Sequence, residues 1–74
     1  MEKLYKIEIT AFGKRIKTLR LKKGLTQLDL EVRSGITRTE ISKIENGLNN
    51  VRFYTIVRLA ESLEVELSDF FNGG

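Results

Sequence analysis

Apolar residues return at helical intervals through most of this chain, and glycines mark where the pattern stops. From about Thr10 to Lys23, Phe12, Ile16 and Leu19 fall on one stripe, while Lys14, Lys17, Arg20 and Lys22 spread over the other faces. A second helical segment runs from Gln27 to Ser34 behind Thr26, whose hydroxyl suits a helix start. A third runs from its cap Thr37 to Glu45 or Asn46, and Thr37-Arg38-Thr39-Glu40 has the spacing of a capping box. A fourth covers about Phe53 to Leu63, with Phe53, Ile56, Val57, Ala60 and Leu63 on one face. A short last turn spans Leu67 to Phe71. Gly24, Gly35 and Gly47 each follow a helical segment, where a residue without a Cβ takes the left-handed conformation at no steric cost.

The two ends are different. Tyr5, Ile7 and Ile9 alternate with Leu4, Lys6 and Glu8, a pattern open to an arm strand, a helical lead-in or disorder. Asn72-Gly73-Gly74 reads as a flexible tail. The expected organisation is an arm over 1–9, an all-α domain over 10–71 and a tail over 72–74.

Composition narrows the chemistry. Seventy-four residues, 41% of them hydrophobic, support one thin core and favour dimerisation. The chain has no cysteine and no histidine, which excludes disulfides, zinc-finger sites and every scheme built on an imidazole or thiolate. No metal or cofactor is expected. Neither a membrane-length apolar run nor the apolar stretch of a secretory signal is visible, so a cytoplasmic protein without a membrane partner is expected. No Gly-rich loop follows a strand to cradle phosphate, and so small a chain leaves little room for a closed pocket. Enzymatic activity is not expected.

The net charge is only +3, but it is unevenly placed. Residues 1–25 carry eight Lys/Arg against two Glu, and the excess reverses sign further on. Such a lopsided field suits an anionic partner, although a lysine-rich solvated helix face produces the same count.

The stretch from Leu25 to Gly47 is the most specific. Two helices of eight or nine residues meet at Gly35-Ile36, with no room for a long loop, which is a helix-turn-helix arrangement with Ile36 at the corner. At about 100° per residue, Ile41 and Ile44 define the inner side of the second of these helices. Thr39, Ser42 and Lys43 fall roughly opposite, with Arg38 on the flank near the N-terminal end. Hydroxyls, an ammonium and a guanidinium on one face are groups that read base edges in a major groove. An ordinary solvated face looks the same in isolation; the turn, the caps and the basic neighbouring helix distinguish this one. RNA recognition lacks its usual platform, since the aromatic residues fall at core spacing or near the ends.

Five pieces in order resemble the Cro/C1-type (Xre-type) helix-turn-helix family. They are Gly13-Lys14-Arg15-Ile16-Lys17-Thr18-Leu19-Arg20, Gly24-Leu25-Thr26-Gln27, Ser34-Gly35-Ile36-Thr37, Ile41-Ser42-Lys43-Ile44-Glu45-Asn46-Gly47 and Leu59-Ala60-Glu61-Ser62-Leu63. The resemblance spans Phe12 to Phe71. It implies a compact five-helix bundle, lambda-repressor-like, that binds double-stranded DNA, commonly as a homodimer. By position it implies base reading by Arg38, Thr39, Ser42 and Lys43. Contacts to the DNA backbone are implied for Lys14, Lys17, Thr26, Gln27, Thr37, Asn46, Asn49, Asn50 and Arg52. Arg20 and Glu45 occupy the places of a family ion pair joining the first and third helices, and Leu67, Phe70 and Phe71 are candidate dimer contacts.

The chain departs from the family pattern at several places. Glu31 stands where the family usually has alanine, so its carboxylate must reach solvent or a cation such as Arg33, Arg38 or Lys43. Leu28 and Val32 replace commonly polar residues and either fill space under the N-terminal arm or form an exposed patch. Val51-Arg52 replaces the frequent Pro-Ser/Thr start of the fourth helix, removing its usual cap. The expected function is a DNA-binding transcriptional regulator, a repressor or autoregulator. The alternative is a protein-interaction module, or an antitoxin-type partner of a toxin or other regulator, on the same fold.

Overall fold

A computed structural model describes residues 1–71. Among these residues the fold is all-α: α1 (Glu2–Lys22), α2 (Gln27–Ser34), α3 (Arg38–Glu45), α4 (Phe53–Leu63) and a closing 3-10 helix (Leu67–Phe70). Four α-helices and one 3-10 helix thus stand where five helices were expected. The proposed tail, 72–74, lies outside the described residues.

Of the readings open for the first residues, the helical lead-in is the one found. Residues 2–9 are neither strand nor separate arm; they continue α1 to a total of 21 residues. Nothing between Glu2 and Phe12 breaks a helix, and Tyr5, Ile9 and Phe12 are spaced to share one face. Together with Val51, Ile56 and Phe71 they line a small apolar groove of about 140 Å³. Ile7, the middle member of the apparent alternation, is left exposed.

Two threonines start the next helices by different means. Thr26 Oγ1 accepts the Asp29 backbone N–H at 3.0 Å, and the Thr26 backbone N–H donates to Asp29 Oδ2 at 2.8 Å. The full capping box therefore sits on α2, closed by an aspartate. At α3, Thr37 Oγ1 accepts the Glu40 N–H at 3.2 Å, and this single bond makes the cap. The expected reciprocal partner, Glu40, is not part of a box. Helix α4 begins at Arg52 without a side-chain cap.

Every helix contributes to one core. Phe12 and Ile16 from α1, Leu30 from α2, Ile41 and Ile44 from α3, and Leu59, Ala60 and Leu63 from α4 close around Phe70. The rings of Phe12 and Phe70 meet edge-on at 5.5 Å. Two arginines tie the layers together through backbone carbonyls: Arg58 Nη2 donates to Ser34 O at 2.8 Å, and Arg15 Nη1 to Phe70 O at 3.0 Å.

Gly13 sets how closely α1 and α3 approach. A Cβ at this position would stand 2.2 Å from the Ile44 carbonyl oxygen and 3.0 Å from that of Glu45. Only hydrogen fits there. About one turn earlier on α1, Thr10 lies against Gly47, which holds φ +70° just past α3. The end of α3 is therefore seated on the α1 backbone itself.

Candidate nucleic-acid interface

The outer face of α3 is assembled by the turn before it and the helices behind it. Gly35 takes φ +78° and ends α2, Ile36 packs against the core, and Thr37 starts α3. Ile41 and Ile44 are buried beneath the helix. That leaves Arg38, Thr39 and Lys43 exposed and Ser42 half-buried on the opposite side. These four and Gln27 line one shallow surface depression. Among the described residues the ion pairs are Arg20 with Glu45 and Arg58 with Glu61, so neither Arg38 nor Lys43 is held in one. Their charges face solvent.

Behind this face lies a polar joint. Arg20 Nε donates to Glu45 Oε2 at 2.7 Å and Arg20 Nη2 to Glu45 Oε1 at 3.0 Å, with side chains only 7% and 2% exposed. The remaining donors are placed as well: Arg20 Nη1 reaches the Leu25 carbonyl at 2.8 Å. Gln27 Nε2 adds a bond to Glu45 Oε1 at 3.1 Å. Buried charges need such complete pairing, because an unpaired one loses its hydration without replacement. Hydrogen bonding to Glu45 raises the Arg20 pKa against the opposing pull of burial. The guanidinium therefore stays charged at any ordinary pH. At α2, the Thr26 backbone N–H holds the Asp29 carboxyl below its ordinary range, helped by the Thr26 hydroxyl.

The other expected positions are more scattered. Lys14 and Lys17 are exposed on α1, outside the depression on α3. Thr26 and Thr37 use their hydroxyls as caps, and Asn46 Nδ2 donates to the Ser42 carbonyl at 2.8 Å. Asn50 and Arg52 are exposed and Asn49 half-buried in the segment leading to α4. Of the proposed dimer contacts, Phe70 is corrected: it is 0% exposed within a single protomer and serves the core. Phe71 is exposed while stacking on Phe12 at 5.8 Å, and Leu67 is half-buried. Leu28 and Val32 lie open on α2 rather than beneath an arm.

Sequence reasoning missed the partner of Glu31. Its Oε1 accepts the Arg38 backbone N–H at 2.7 Å, so the carboxylate caps α3 from the neighbouring helix and not by a side-chain cation. The departure from alanine was a visible signal; the direction of the carboxylate was not. Gly13 was equally visible, since a glycine inside a helical pattern often marks a close approach.

The Helix-turn-helix (HTH_3) family pattern matches residues 16–70. The chain belongs to this family, of Cro/C1 (Xre) type. Within the helix-turn-helix family it resembles the restriction-modification controller protein C.AhdI from Aeromonas hydrophila, with a TM-score of 0.85 and 35% identity over 88% of this chain and 98% of that one. It also resembles C.Esp1396I, a controller protein solved as a tetramer in complex with its natural 35 base-pair operator, at a TM-score of 0.80 and 36% identity over 86% of this chain and 84% of that one. Control protein C.MunI from a Mycoplasma species is 34% identical over 62 residues, 82% of this chain and 84% of that protein. Four curated helix-turn-helix regulators are longer, and the chain spans 40–49% of their length. No helix among the described residues is long and apolar enough to cross a membrane.

Proposed function

We propose that this helix-turn-helix protein is a sequence-specific duplex-DNA-binding transcriptional regulator that acts as a homodimer and represses, in part its own expression. The observation that carries this reading is the outward face of α3, where Arg38, Thr39, Ser42 and Lys43 meet solvent with both cations outside any ion pair among the described residues. Arg38 and Lys43 read base edges, and Thr39 and Ser42 supply adaptable hydroxyls. Lys14, Lys17, Thr26, Gln27, Asn46, Asn49, Asn50 and Arg52 border the duplex and set register through its phosphates. Dimerisation through Phe71 and Leu67 places two copies of α3 about 34 Å apart, one turn of DNA.

The similarity to controller proteins of restriction–modification systems, one of them aligned over nearly its whole length, favours a regulator of that kind over an antitoxin or phage-type repressor. The test is selection of bound sequences from a random duplex pool at fixed salt, with the mass of the complex measured in parallel. Two related half-sites about one helical turn apart and a mass of two protomers or a multiple are the expected results. Enrichment of no sequence overturns the proposal and leaves the protein-interaction alternative.

A further inference from the structure

Building on the DNA-reading assignment of α3, we propose that Glu31 is a specificity-determining residue that keeps phosphate away from the start of the recognition helix and leaves that end to the base edges Arg38 reads. The geometry has three parts. Glu31 belongs to α2, yet its Oε1 accepts the Arg38 N–H at 2.7 Å, which is the first N–H of α3. Thr37 Oγ1 takes the Glu40 N–H at 3.2 Å. Two of the donors that a helix start ordinarily offers to an anion are thus satisfied within the protein.

The charge matters more than the hydrogen bond. Glu31 is half-buried beside Arg38 and forms no ion pair among the described residues. It therefore sets a negative charge at the helix end whose N–H groups and dipole otherwise attract phosphate. Any docking register that brings a phosphate to this end meets repulsion. A register that leaves the backbone N–H groups free and brings a base edge to the Arg38 guanidinium does not. Glu31 thus lowers affinity for most duplexes while lowering it least for the correct one, and discrimination is a difference of affinities. It touches the helix through Arg38 and acts on DNA by its field, which makes it a positioning and excluding residue.

The experiment compares the wild type with E31Q, E31D and E31A on the duplex selected by the wild type and on a random duplex, at one salt concentration. E31Q keeps an acceptor for the Arg38 N–H and removes the charge. It should retain the melting temperature but lower the ratio of selected to random affinity about fivefold, the effect of one charge about 4 Å away through water. E31D keeps the charge and should keep the ratio to within about twofold, since aspartate differs only by one methylene. E31A should lower the ratio as E31Q does and, unlike E31Q, also speed hydrogen exchange at the Arg38 amide. A ratio unchanged in E31Q overturns the role of Glu31 while leaving DNA reading intact. A wild type that selects no duplex overturns the DNA reading itself, and this role with it.

Discussion

The inner edge of α3 meets α1 backbone to backbone, whereas its outer edge meets solvent. On the inner side, Gly13 leaves no space for even one carbon, and Arg20 and Glu45 place four hydrogen bonds among themselves, Leu25 and Gln27. On the outer side, Arg38, Thr39 and Lys43 are exposed, and neither cation is in an ion pair among the described residues. Substitution should therefore separate the two edges. Changes behind α3 act on folding, and changes in front act on recognition. A reading surface depends on side chains that are free to bond and on a mount that is not free to move.

The sharpest break comes from Arg20→Ala, which strands Glu45 in a buried site. It should cost about 3–5 kcal/mol, a large part of the stability of a domain this size. Urea unfolding of the variant should show a midpoint shifted far down, and an unchanged midpoint would contradict the buried pairing. Gly13→Ala should follow, at roughly 1–3 kcal/mol, because α1 and α3 must part to admit a methyl group against carbonyl oxygens. The same change at an open helical site would stabilise, so the sign alone is diagnostic.

Lys43→Ala should leave the stability within about 0.5 kcal/mol of the wild type, read by urea unfolding. In the duplex selection it should relax preference at one base position by about 1–3 kcal/mol. A lost fold or an unaltered sequence preference would erase the contrast between the edges. The smallest effect belongs to Asp29. Its folded pKa lies below its ordinary value of 3.8, so its contribution is present above that value and lost as pH falls through the lower folded value. Asp29→Asn should flatten the acid limb of the melting curve against pH and change little at neutral pH. Equal acid limbs would show that the α2 cap is electrostatically silent.

Helices α2 and α3 were legible because periodicity, threonine caps and closing glycines agree with one another there, and α4 from its apolar periodicity alone. The face of α3 was legible for the same reason: two isoleucines fix its orientation, and the rest follows from the helical repeat. The start of α1 was not, since Tyr5, Ile7 and Ile9 satisfy a period of two as well as Tyr5, Ile9 and Phe12 satisfy a helix. Only contact with Val51, Ile56 and Phe71 decides between them. Phe70 and Phe71 presented a similar ambiguity, two adjacent rings of which one turns inward and one outward. Glu40 matches the common capping-box pattern behind Thr37, but the box forms at Thr26, where the shorter carboxylate of Asp29 closes it. Glu31 could be noticed but not interpreted, because its partner is a backbone amide seven residues away across a turn.

Since α1 grips α3 through main-chain atoms at Ile44 and Glu45, the identity of the outward side chains has no part in that seat. New letters can be written at positions 38, 39, 42 and 43 while the frame that presents them stays as it is. A lineage of such proteins could drift from one target to another by a handful of exchanges, each of them foldable along the way.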